Sequence, residues 1–178
     1  MTPHRHRSAV IEFPNDLEIV VTREFDAPIE LVFDVLTKLE HVRKHFAPFG
    51  EEVTVCSIDL RVGGNYHFVF VTDDGTECSF RGTYLEVEPP TRTVETWLFG
   101  GWPDAEAVET WQLRETDGVT TVTMRLAFRD QAGRDHYPAR GPEARELTSS
   151  DGPGASFDAI AEILRSLLDP TATGTVSH

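Results

Sequence analysis

Phe157-Asp-Ala-Ile-Ala-Glu-Ile-Leu-Arg-Ser-Leu-Leu168 is the stretch on which the reading of this chain turns. Phe157, Ile160, Ala161, Leu164, Leu167 and Leu168 recur at three-and-four spacing, which places them on one face of a helix. Asp158, Glu162, Arg165 and Ser166 fall on the other side. Asp169-Pro170 stops the helix, because the proline ring cannot continue it and restricts the residue before it. A helix of this kind is stable only when its apolar face is buried. It therefore predicts a partner surface elsewhere in the chain.

That surface is legible upstream. Residues 17–25 alternate and are β-branched enough for a first strand. Asp26-Ala-Pro28 follows, with Asp26 expected as a helix cap and Pro28 near the first turn. Ile29, Val32, Phe33 and Leu36 make the apolar face of a short helix, and a second helical piece covers roughly 39–46. The period then changes. Segments 53–60, 66–71, 77–87, 92–99, 108–115 and 119–128 read as six strands. They are separated by turn chemistry at Gly63-Gly64, Asp74-Gly75, Pro89-Pro90, Gly100-Gly101 and Asp117-Gly118. Separators this short imply antiparallel hairpins.

The expected fold is thus α+β: a seven-stranded antiparallel sheet curled around a long C-terminal helix, with two short helices after the first strand. The domain spans 17–169. Residues 1–16 are expected as an arm, with Val10-Ile-Glu-Phe13 either frayed or adding a short edge strand, and 170–178 as a disordered tail. Residues 130–153 read as a polar approach to the last helix, with a helical turn around 143–147, and Gly152-Pro-Gly154 as the helix entrance. One helix cannot fill a sheet of this size, so an internal cavity is expected.

Bulk properties narrow the partners. The 178 residues, 39% hydrophobic and 26% charged, suit one globular domain. No apolar run approaches the roughly 18 residues of a membrane span, and the basic N-terminus lacks the apolar block of a secretory signal. The expected location is cytoplasmic. Cys56 and Cys78 lie in strand-like runs without metal-type spacing and are expected as reduced thiols. A net charge of −14 argues against nucleic acid and anionic lipid surfaces as partners, while leaving room for an uncharged apolar ligand inside the fold. Edge strands and an exposed helix allow a homodimer without requiring one.

Arg23-Glu-Phe-Asp-Ala-Pro28, Val32-Phe33, Thr37, Glu40-His41 and Phe46-Ala-Pro48 resemble the opening of the START-like (SRPBCC) superfamily. They resemble in particular its branch homologous to the C-terminal domain of the activator of the ninety-kilodalton heat-shock protein's ATPase. Asp59-Leu-Arg61-Val-Gly63-Gly64, the run from Asp74 to Pro90, Glu95-Thr96-Trp97 and the glycines Gly152 and Gly154 continue the likeness in order, over roughly 17–168. The resemblance implies the helix-grip fold, in agreement with the pattern above. Relatives include chaperone activators, lipid-transfer modules, polyketide cyclases, aromatase-like enzymes and self-sacrificing resistance proteins, so the fold does not fix the activity. His45-Phe46, Gly152-Pro153 and Gly154-Ala155 depart from the usual residues, and the relatives' ligands do not carry over.

Alternation predicts Tyr66, Phe68, Phe70, Trp111, Leu113, Val122, Met124, Leu126 and Phe128 on the face toward the helix. With Phe33, Trp97, Phe157, Ile160 and Leu164, these either line a ligand cavity or fill the core. Glu109 shares parity with Trp111 and Leu113. An inward carboxylate there is a candidate general acid or base, although the favoured expectation is a strand-end carboxylate that reaches water. His41 and His45 have metal-compatible spacing but no third ligand, and are expected to be exposed or partly packed. Arg81, Arg125 and His67 are expected to point outward, and Arg61 to tie its hairpin to a nearby carboxylate. No cofactor or metal is called for, and no Ser-His-Asp or Cys-His arrangement is evident. The leading expectation is a non-catalytic domain binding an apolar or aromatic small molecule. The alternatives are a chaperone-interacting module and a cyclase- or hydrolase-like enzyme.

Overall fold

The computed structural model describes residues 9–45, 52–137, 145–146 and 152–169. The expectations for residues 1–8, for Phe46 to Gly50 and for the tail from 170 concern residues outside these. In chain order the elements are β1 (Val10–Glu12), β2 (Glu18–Phe25), α1 (Ile29–Thr37), α2 (Leu39–His45), β3 (Glu52–Ile58), β4 (Asn65–Val71) and β5 (Glu77–Glu88). They continue with β6 (Arg92–Phe99), β7 (Ala107–Thr116), β8 (Val119–Phe128), α3 (Gln131–Asp135), β9 (Arg145–Glu146) and α4 (Gly152–Leu168). The strands form one sheet in the order β3-β4-β5-β6-β7-β8-β2-β1-β9. Every neighbouring pair is antiparallel. This is the expected helix-grip architecture, with two additional short strands at one edge.

Both additions have a physical cause. Ile11 pairs with Val21 and is fully buried, so β1 is fastened to β2 by an apolar anchor and is not a frayed arm. Arg145 and Glu146 then pair with Ile11 and Val10. The described part of the 143–147 segment is therefore strand, and the helical turn expected there is corrected. Two-residue strands carry no periodicity for a sequence to display. Between the strands, the Asp117-Gly118 turn has φ of 52° and 80°, the left-handed pair that a two-residue hairpin needs.

The start of α1 also differs from expectation. Pro28 itself occupies the N-cap position, and the first-turn amide of Ile29 donates to Glu115 Oε1 at 2.7 Å. A carboxylate from β7 therefore satisfies the helix end that Asp26 was expected to cap.

α4 packs its apolar face as its spacing requires: Phe157, Ile160 and Leu164 are buried, joined by Ile163. Leu167 and Leu168 are exposed, because the last turn runs past the helices and strands that cover the rest. Opposite α4, Ile19, Val21, Leu113 and Val122 form a nearly solvent-free layer with Val32 and Val35 of α1. Each such side chain contributes roughly 1.5–3 kcal/mol by leaving water. A polar clasp supplements them. Arg23, buried on the inward face of β2, donates through Nη1 to Asp158 of α4 at 2.6 Å.

Candidate functional site

The inward parity of the sheet runs through Tyr66, Phe68 and Phe70 of β4, Phe80, Gly82 and Tyr84 of β5, Glu95 and Trp97 of β6, and Glu109, Trp111 and Leu113 of β7. The β5–β6 register shifts between Tyr84 and Glu86, and Gly82 and Thr83, just before it, have no ladder partner on β6. A side chain there would meet Thr96 O at 1.7 Å and the Tyr66 ring at 2.7 Å, so only glycine leaves room for that ring to cross β5. The Tyr66 hydroxyl then donates to Thr96 O at 2.8 Å. Rings continue along the concave face: Tyr66 lies 5.6 Å from Tyr84 and 5.3 Å from Phe68, and Trp97 lies 5.8 Å from Phe80 and 5.9 Å from Phe128.

The aromatic and apolar candidates separate into two groups. Phe33, Met124, Phe128, Phe157, Ile160 and Leu164 belong to the buried core. Tyr66 and Phe70 are buried outside that cluster, while Phe68, Trp97 and Trp111 remain half-buried although they face inward.

Glu109 is the polar centre of this half. It lies near the start of β7, as expected, but faces Glu95 directly across the ladder instead of reaching bulk water. Its carboxyl is surrounded by protein, although the residue as a whole keeps some exposure. Trp111 Nε1 donates to Glu109 Oε1 at 2.8 Å. Desolvation pushes the Glu109 carboxyl up to about 7, against the lowering effect of hydrogen bonds from Trp111 and Glu95. Glu95 is raised well above the ordinary range, first by desolvation and then by the Glu109 charge. With both carboxyls raised, the pair retains a proton near neutrality. Glu95 Oε2 has no hydrogen-bond partner. Burial and these two carboxyls also raise the hydroxyls of Tyr66 and Tyr84, which stay protonated near neutrality.

Glu95 is the functional candidate that sequence reading missed. Its signal was present: Thr93, Glu95, Trp97 and Phe99 share one parity, and the two rings mark that parity as inward. His41 and His45 also depart from expectation. Both are buried, with Nδ1 of His41 and Nε2 of His45 unpartnered. Desolvation holds His45 down at about 4, so it is neutral near pH 7. Among the described residues no group of three or more His, Cys, Asp or Glu side chains could hold a metal ion.

Other expectations resolve simply. His67 and Arg81 pair on the outward face, and Arg125 reaches Glu18 at 2.5 Å. Arg61 Nε donates to Asp59 Oδ2 at 2.8 Å, tying its hairpin. Cys56 and Cys78 are free thiols. A broad groove of about 960 Å³ runs across the sheet, lined by residues of both faces, His67, Arg81, Leu98 and Val108 among them, and by none from the helices. It is wide open to water, its lining also takes in Tyr66, Gly82, Trp97 and Phe128, and neither Glu95 nor Glu109 lines it.

A curled antiparallel sheet gripping one long helix, with its polar groups on the concave side, defines the START-like helix-grip class. Within it, the chain belongs to the Activator of Hsp90 ATPase homolog 1-like family, whose model matches residues 26–165. No curated protein matches the chain. Among solved structures, it is similar to a protein from Rhodobacter sphaeroides, with a TM-score of 0.73, 21% identity, and coverage of 88% of this chain and 98% of that one. It is also similar to Ms6760 from Mycobacterium smegmatis, with a TM-score of 0.69, 18% identity, and coverage of 95% and 97%. CalU16 from Micromonospora echinospora matches with a TM-score of 0.52, 20% identity, and coverage of 88% and 78%. At these identities the likeness concerns the fold. No helix among the described residues is long and apolar enough to cross a membrane.

Proposed function

We propose that this START-like domain binds a small, largely apolar or aromatic molecule between the concave face of the sheet and α4. The supporting observation is the partial exposure of Trp97, Trp111 and Glu109 on a face that points into the fold. A site of this kind gains affinity from apolar burial and orientation from a few polar groups; here the polar groups are Glu95 and Glu109. Native mass spectrometry of freshly purified protein, followed by identification of any released molecule, tests the reading. Stoichiometric binding of a neutral probe such as N-phenyl-1-naphthylamine is expected. Absence of both a bound species and probe binding would overturn it.

The retained proton favours a second reading, acid–base catalysis on the bound molecule. A carboxyl raised to about 7 can give and take a proton near neutrality, which an ordinary carboxylate does poorly. Turnover should then show a pH dependence centred on the pair and vanish in Glu109→Gln. Family membership carries a third reading, an interaction with a heat-shock chaperone. It predicts faster ATP hydrolysis by a purified chaperone homologue when this protein is added, and no acceleration counts against it.

A further inference from the structure

We infer that the polar end of this cavity takes a protonated amine carried on an aromatic or apolar body, its N–H groups donating to Glu95 and Glu109. The inference rests on the cavity-binding reading above. Glu95 is 5% exposed, faces inward, and has one carboxyl oxygen without a donor. Two neighbouring donors are already engaged, the Tyr66 hydroxyl with Thr96 O and the Trp111 indole with Glu109, each at 2.8 Å, and the Tyr84 hydroxyl, across the ladder from Glu95, leaves Glu95 Oε2 without a hydrogen bond. The unmet acceptor therefore asks for a donor brought by a ligand.

A neutral hydroxyl would meet the acceptor but not the charge. Apart from each other, the groups acting on the two carboxyls are Thr93 on Glu95 and Trp111 on Glu109, and neither is cationic. Arg23, the buried guanidinium on the same inward parity, is held by Asp158 at 2.6 Å. Lacking a counter-cation, the buried pair retains a proton. A ligand ammonium supplies the missing charge and the missing donor together.

The surroundings favour a cation as well. Tyr84 lies across the ladder from Glu95, Trp97 is two residues along from Glu95, and Trp111 two along from Glu109, so π systems flank the pair. The net charge of −14 raises the concentration of organic cations near the protein. An anionic ligand would meet repulsion at both scales.

Titration calorimetry at pH 7.5 with 2-phenylethylamine, 2-phenylethanol and phenylacetate tests this. The amine should bind at least about tenfold more tightly than the alcohol, the scale of a hydrogen bond to a charged group, and the carboxylate most weakly. Repeating the amine titration in buffers of different ionisation enthalpy should show net proton release, as the incoming cation displaces the proton retained by the pair. Glu95→Gln, checked for folding by near-ultraviolet circular dichroism, should abolish the preference for amine over alcohol. Equal or tighter binding of the alcohol by the unaltered protein overturns the inference, and so does an amine preference that survives in folded Glu95→Gln. Binding of N-phenyl-1-naphthylamine separates the two levels. If it binds and the amine shows no advantage, the inference falls while the cavity reading stands; if neither it nor any member of the series binds, both fall.

Discussion

The two halves of the sheet solve opposite problems with one architecture. In β1, β2 and β8 the inward residues include Ile11, Ile19, Val21 and Val122, which with Leu113 of β7 are buried in the apolar core that α1 and α4 share, with Arg23 as a charged group beside them. In β4 to β7 the inward residues are rings and two acids, several of them still in contact with water. The first half is a dry apolar core, and the second holds the candidate site. The difference follows from coverage: α4 contacts β2, α1 contacts β7 and β8, and α2 contacts β3, whereas among the described residues β4, β5 and β6 have no comparable contact with a helix.

Cutting the dry half should produce the largest effect. Phe157 stands at its boundary, 6.2 Å from Phe25 and 6.0 Å from Trp111 by ring centroids, and is 2% exposed. Phe157→Ala should cost about 3–5 kcal/mol in urea unfolding, through lost transfer energy and the cavity left behind. Trp97→Ala in the open half should cost distinctly less. Equal losses would erase the distinction between the halves.

The pH dependence of stability should expose the open half next. Glu109 moves from 4.5 when unfolded to about 7 when folded, so between those values the native state holds more proton and stability falls as pH rises. By the usual conversion this is on the order of 3 kcal/mol, and Glu95 acts in the same direction. His45 opposes them: held from 6.5 down to about 4, it makes stability rise with pH across that interval. It offsets one carboxyl below about 6.5 and neither above, so the unaltered protein should lose stability most steeply just above that point. The double variant Glu95→Gln/Glu109→Gln should lose this decline and instead gain stability from pH 4 to 6.5. Urea midpoints at pH 5, 6.5 and 8 decide it, and identical profiles for the two proteins would remove the acid pair from the account.

The same contrast explains what could be read from residues alone. β2 to β8 and α4 were legible because strand and helix periods survive when one face is buried in apolar contacts. The site half was obscure because its inward residues are polar. Glu95 looks outward by composition, and only the parity of Trp97 and Phe99 reveals otherwise. Glu109 had the right parity, but its depth depends on β6 lying beside it, a long-range fact. The burial of His41 and His45 depends likewise on how α2 meets α4 and β3.

A third prediction concerns the clasp between the sheet and α4. Asp158→Asn removes the charge facing Arg23, whose Nε already lacks a partner. Stability should drop by about 1–3 kcal/mol, the cost of a buried charged group left short of its acceptor. Arg23→Met combined with Asp158→Leu should recover most of that loss, because it removes the charge instead of stranding it. A double-mutant cycle without coupling would mean that the grip on α4 is wholly apolar.

The smallest effect should come from the end of α4. Leu167 and Leu168 continue the apolar spacing of Phe157, Ile160 and Leu164, yet are 43% and 51% exposed. Leu167→Ser should change stability by no more than about 0.5 kcal/mol, as expected of a surface position, whereas Leu164→Ala one turn earlier should cost about 2–5 kcal/mol. The periodicity is the same at both positions and the coverage is not, so the pair isolates packing from pattern. Repeating the Leu167→Ser measurement over a range of protein concentrations adds a control. A larger loss that grows with concentration would mean that a second copy covers this turn, and that the apolar spacing extends to Leu168 because it is buried after all.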